Sequence, residues 1–151
     1  MKHYRKMLTV LQNFLDLLIG LGKVHPNIPR KETVFAVRTH RREFVSCISM
    51  SLFTCEQVIG ARQPLPQFLP SVRRAFKTLG SHMEDQIRQS RVANTACMGL
   101  SLAYVFAELD ILGRLVDTNE ELLDLTRELF GADEEFDIYM STPDSEDHMN
   151  S

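Results

Sequence analysis

Apolar residues recur three and four positions apart along most of this chain, and nowhere do they alternate steadily with polar ones. That pattern predicts helices and no strands. The first predicted helix covers about residues 2–21. Leu8, Leu11, Leu15 and Leu18 form one stripe, and Met7, Val10, Phe14, Leu17 and Leu21 widen it. Only Thr9, Gln12, Asn13, Asp16 and Gly20 mark a polar face. So wide an apolar arc points to burial on more than one side, and the widening residues are the candidates for meeting a partner. The helix opens at residue 2 without an obvious cap. A chain that begins partway through a larger protein and an ordinary central helix of a small bundle both account for this.

Gly22 is expected to close that helix, and Pro26 and Pro29 to enforce a turn. A second helix follows from Lys31 or Glu32 to about Ile59, with Phe44, Ile48, Leu52, Cys55 and Ile59 as its inner stripe. Pro64, Pro66 and Pro70 then forbid a continuous helix, so the second stops near Ala61 and a third begins at Pro70 or Ser71. Leu65, Phe68 and Leu69 should pack this connector onto the bundle. The third helix has a narrow stripe (Val72, Phe76, Leu79, Met83, Ile87) and a basic outer face. A fourth, about Ala93 to Val116, is apolar nearly all round and belongs in the middle. Thr118 and Glu121 have the spacing of a capping box and open a short last helix, closed by Gly131. The fold expected is all-α: an antiparallel helical bundle of four long helices and one short over residues 1–132. An acidic disordered tail occupies 133–151.

Charge divides the chain. Residues 1–91 carry fifteen Lys and Arg against six Asp and Glu, whereas 92–151 carry two against fourteen. Either the two parts neutralise each other within the fold, or a basic face meets an anionic partner. Arg38, Arg41, Arg42, Arg73, Arg74 and Lys77 are the candidates for such a membrane- or partner-facing patch. The longest uncharged run, Val92 to Ala107, has sixteen residues, short of the roughly 20 apolar residues a membrane span requires. No signal peptide is recognisable. The three cysteines (Cys47, Cys55, Cys97) lie in apolar stretches and read as small buried residues with free thiols, as in a reducing compartment.

Catalytic chemistry finds no foothold. The five histidines are scattered without metal-ligand spacing, so neither a metal nor another cofactor is expected. Glu108, Asp110, Asp117, Glu120, Glu121, Asp124 and Glu128 repeat at helical spacing, which is the pattern of a solvated face. No nucleophile elbow and no phosphate-cradling glycine loop occurs. A negative overall charge and the lack of any binding motif argue against nucleic acid. Thr142 and the acid-flanked Ser145 are candidate phosphorylation positions in the tail.

Four stretches together carry a resemblance: Leu-Gln-Asn-Phe-Leu-Asp-Leu-Leu (11–18), Asn-Ile-Pro-Arg-Lys-Glu-Thr-Val (27–34), Arg-Arg-Glu-Phe-Val-Ser-Cys (41–47) and Gln-Pro-Leu-Pro-Gln-Phe-Leu-Pro-Ser (63–71). From about Tyr4 to Phe130 the chain resembles the C-terminal domain of fungal multi-span membrane proteins described as brefeldin A sensitivity-related. These are grouped with aromatic-acid-exporter-like transporters. The resemblance implies a non-enzymatic structural or regulatory helical domain. It would sit at the cytosolic face of the endoplasmic reticulum or plasma membrane, against the transmembrane portion of its parent or a homologous subunit, and beside anionic lipid. It transfers no functional residues. The alternative expectation is a free-standing helical adaptor that binds a partner helix through its apolar first helix.

Overall fold

The computed structural model describes residues 1–27, 36–93 and 99–131. Helix α1 spans Lys2–Val24 and runs into a 3-10 turn, His25–Asn27; α2 spans Arg38–Ala61, α3 Val72–Ala93 and α4 Gly99–Phe130. No β-strand occurs among the described residues, so the chain is all-α with four long helices. The expected start of the second helix at residues 31–32, Cys97 and the acidic tail from 133 onward lie outside the described residues.

Three boundaries differ from expectation. Ala93, expected to open the fourth helix, instead ends α3, and α4 begins at Gly99. Helix α1 passes Gly22 and continues to Val24. The fifth, short helix is instead the second half of α4. Thr118 does not cap it: its hydroxyl donates to the carbonyl of Arg114 at 2.8 Å, the back-bond of a helix interior. Leu112, Leu115, Val116, Leu122 and Leu125 are all buried on either side of this point. Continuous packing thus outweighs the local preference for a cap.

The proline connector behaves largely as its sequence requires. Helix α2 ends at Ala61, and Arg62 takes a left-handed conformation (φ 53°) while its N–H bonds the carbonyl of Val58. Leu65 is completely buried, and its N–H donates to the carbonyl of Gly131 at 2.9 Å, tying the connector to the end of α4. Gly131 follows α4 at φ 80°, where glycine avoids the cost a Cβ would bring. Phe68 is the exception, standing almost fully exposed. Ser71 caps α3, its hydroxyl accepting the N–H of Arg74 at 3.2 Å.

Contacts fix which helices meet and in what sense. His3 and Lys6 approach Glu128 and Glu121 at 3.5 and 3.7 Å, whereas His25, just beyond α1, approaches Glu108 at 3.3 Å. Helices α1 and α4 therefore run oppositely. So do α2 and α3, where His40 stacks on His82 with ring centroids 3.8 Å apart and Phe44 faces Phe76 at 6.1 Å. Helices α3 and α4 also oppose, since Arg73 meets Glu120 while Phe76 lies beside Gly113, earlier in α4. Helices α2 and α4 point the same way: Arg41 meets Glu108, and Cys55 Sγ lies 3.7 Å from Thr126 Oγ1. All three other helices pack on α4. The main core gathers Phe44, Leu79, Met83, Leu112, Leu115 and Val116. A smaller cluster joins Met7 and Val10 to Cys55, Leu122 and Leu125.

The first helix requires a correction. Met7, Val10 and Phe14 are 3–4% exposed, and Leu17 and Leu21 pack partly buried against the core. These five residues hold α1 to its own bundle and are not the surface a partner meets. The other stripe is the open one: Leu8 is 68% exposed, Leu15 54%, with Tyr4, Leu11, Leu18 and Ile19 beside them. A second correction concerns the membrane. Helices α1 and α2 are each long and apolar enough to cross one by length and composition, a property the search for uncharged runs missed. Only 17% and 22% of those stretches is buried.

Two substitutions test this architecture in urea unfolding. Thr118→Ala is expected to leave stability unchanged or raise it by a few tenths of a kcal/mol, as in a helix interior. A loss of about 1 kcal/mol, typical of a deleted N-cap, would restore a separate fifth helix. Leu79→Ala, at a fully buried position, is expected to cost about 2–5 kcal/mol.

Candidate functional site

The buried stripe of α4 steps by three and four through Val105, Glu108, Leu112, Leu115, Asn119, Leu122 and Thr126. Helical geometry thus carries three polar residues inward with the apolar ones. Thr126 satisfies its hydroxyl on the carbonyl of Leu122 at 2.7 Å. Asn119 and, across on α2, Ser51 are buried with side-chain atoms that find no partner among the described residues. Glu108 is completely buried. The reading of Glu108 as one of a solvated acidic face is therefore overturned.

A buried carboxylate is costly unless it is paired, and Glu108 is paired from two sides. Arg41 of α2 brings one guanidinium nitrogen to Oε1 and the other to Oε2, the second at 3.0 Å, in the two-pronged geometry that suits arginine and carboxylate. His25 Nδ1 lies 3.3 Å from Glu108 Oε1. Since a carboxylate only accepts, this bond requires the proton on Nδ1. Burial holds the Arg41 guanidinium below its ordinary pKa. Burial first, and the positive charge of Arg41 second, hold the His25 imidazole below its usual value of 6.5. One cluster thereby joins the end of α1, the start of α2 and the N-terminal third of α4.

Above the cluster opens a cleft of about 750 Å³ between the C-terminal end of α1 and the N-terminal half of α2. Leu18, Leu21, Phe44, Val45 and Leu112 give it apolar walls, and Arg38 and Arg42 stand at its rim. Its size falls within the range of small-molecule sites.

The six basic residues singled out from sequence have separated into two kinds. Arg38, Arg42, Arg74 and Lys77 are exposed. Arg41 and Arg73 are braces to α4 and are not free for a membrane or partner. Arg73 donates to both carboxylate oxygens of Glu120, at 2.8 and 2.7 Å, and to Asp117 at 2.7 Å. These bonds raise its pKa, and the hydrogen bonds from Arg73 lower that of Glu120. Every ion pair between helical elements among those found in the described residues has its acid on α4. Mutual neutralisation within the fold thus consumes part of the charge asymmetry.

Neither described thiol is primed for attack. Burial, and then Glu43, push the Cys47 thiol up; burial does the same to Cys55 against a smaller lowering contribution from Thr126. No cluster of three metal-ligating side chains occurs among the described residues. Sequence reasoning missed Glu108, although a signal was present: it lies in step with the leucines of the buried stripe. No family model matches the chain, and no curated protein or solved structure matches it either.

Glu108→Leu is expected to cost about 3–5 kcal/mol in urea unfolding, because Arg41 is left buried without its anion. Adding Arg41→Met should recover most of that loss. The depressed His25 pKa fixes a sign as well. Between its folded value and 6.5 the unfolded chain binds the extra proton, so stability falls as pH drops below about 6.5. His25→Asn should flatten this part of the stability–pH curve.

Proposed function

We propose that the chain is a non-enzymatic structural or regulatory helical domain, built as an antiparallel up-down-up-down bundle. In this reading it works at the cytosolic face of a membrane against the spanning helices of a transporter-like protein, and it acts by contact. The observation that carries it is the outer stripe of α1, a continuous line of exposed Tyr4, Leu8, Leu11, Leu15 and Leu18 on a helix already anchored by its inner stripe. A lone exposed leucine needs no explanation, but a contiguous apolar face marks an interaction surface. Lys2 and Arg5 stand exposed at the start of the same helix, where an anionic leaflet would attract them by about 1 kcal/mol each. Arg38, Arg42, Arg74 and Lys77 add to the exposed positive charge. The opposed senses of the α1–α4, α2–α3 and α3–α4 pairs support the bundle topology. The family resemblance favours the same placement.

A second reading is favoured by one specific feature. The outer stripe repeats at four, three, four and three residues from Tyr4 to Leu18, the spacing with which one helix seats another. This suits a free-standing adaptor that receives a single partner helix.

Co-sedimentation of the full chain with phosphatidylserine-containing vesicles tests the membrane reading. Binding is expected at low salt, weakening as salt rises, and the exposed double substitution Leu8→Glu, Leu15→Glu should abolish it without loss of folded structure. No binding at low salt overturns the membrane placement and leaves the adaptor.

A further inference from the structure

The cleft between α1 and α2 has a property that the α1 stripe lacks: it combines an apolar interior with a surplus of fixed positive charge. Its ionisable lining consists of His25, Arg38, Arg41, Arg42 and Glu108. The single carboxylate among the described lining residues is engaged by Arg41, so no described lining acid is left to balance Arg38 and Arg42, both exposed at the rim. Leu18, Leu21, Phe44, Val45 and Leu112 line the interior.

We infer that this cleft binds a single-chain amphiphile with an anionic head, of the class of a long-chain carboxylate, its head between Arg38 and Arg42 and its tail along Leu21, Phe44 and Leu112. Three general considerations select this chemistry. An apolar body gains free energy by leaving water for the leucine-lined interior. A carboxylate gains charge-assisted hydrogen bonds from guanidinium groups, for which arginine is better shaped than lysine. A cationic head would meet like charge at the rim, and a neutral alcohol would leave both arginines unanswered. The buried Glu108–Arg41 pair fixes α2 against α4, and His25 brings the end of α1 to the same carboxylate, so both sides of the opening are set before any ligand arrives. This inference does not require the vesicle-docking role of the outer α1 stripe, which shares Leu18 with the cleft lining.

The test uses the full chain and calorimetric titration with decanoate below its micelle concentration. Decyltrimethylammonium and decanol serve as cationic and neutral counterparts of equal tail. Decanoate is expected to bind, and the two counterparts to bind at least about tenfold more weakly, the difference expected from one charge-assisted hydrogen bond. Arg38→Gln with Arg42→Gln should weaken decanoate by about tenfold or more. Gly22→Leu is the blocking variant: Gly22 lines the cleft, and a Cβ placed there meets no atom within 4 Å, so the variant is expected to keep its fold. It should remove decanoate binding while leaving vesicle co-sedimentation intact. Absence of decanoate binding, equal binding of the cationic amphiphile, or undiminished binding by Gly22→Leu would overturn the assignment.

Discussion

The structure depends on α4 serving as the common partner of three other helices. A helix in that position must be apolar over much of its circumference, yet its partners are basic, so it must also supply the opposing charge. Helix α4 meets both demands by position along its turns. Val105, Leu112, Leu115, Val116, Leu122 and Leu125 face inward. Asp117, Glu120, Glu121 and Glu128 stand nearer its edges and pair with α1 and α3. The exposed pairs contribute little to stability individually. They do oppose any register shift of a helix against α4, because a shift would separate several opposite charges at once. Glu108 is the one of these acids that lies fully inside. A buried ion pair often contributes less than an apolar pair of equal shape would, and its geometric demand is correspondingly strict: α2 must place Arg41 at one level of α4.

The same placement explains why charge is divided along the chain instead of mixed within each helix. Basic residues on α1, α2 and α3 and acidic residues on α4 form a complementary set once the helices assemble. What remains after pairing is not evenly spread. Arg38 and Arg42 lie by the cleft, Arg74 and Lys77 on the outer side of α3, and Lys2 and Arg5 at the start of α1. Part of the positive charge therefore holds the fold together, and the exposed remainder is available to attract something outside it.

Most of the architecture was legible in the sequence because periodicity and proline act locally. The prolines at 64, 66 and 70 do end α2 at Ala61 and allow α3 to start at Val72, and the stripe Val72, Leu79, Met83, Ile87 is buried as its spacing requires. The errors arose where a long-range contact overrode a local signal. Thr118 and Glu121 have the spacing of a cap, but the packing of α1 and α3 along α4 keeps the helix unbroken. Glu108 looks solvated among neighbouring acids, yet its phase with Val105 and Leu112 places it inside, opposite an arginine that no local rule identifies as its partner. The two leucine stripes of α1 are equally apolar, so composition could not tell the inner from the outer. Only the position of α4 decides that Met7, Val10 and Phe14 face inward.

That near-equivalence bears on what α1 is for. A surface helix that packs on one neighbour needs one apolar stripe, and a second stripe beside it lowers solubility with no return inside the monomer. Helix α1 has both, each repeating at three and four residues and displaced from the other by one position, roughly 100° around a helix of 3.6 residues per turn. Two adjacent seams of that spacing suit a helix wedged between two others. One neighbour is α4, and no other described helix packs on the outer seam. The cleft lies where the outer seam reaches Leu18 and turns toward α2. A helix seated on the outer seam would thus pass close to the cleft's mouth, and an amphiphile between Arg38 and Arg42 would lie at the edge of its contact surface. Occupancy of the cleft and docking on α1 are then physically adjacent events, with Leu18 common to both surfaces.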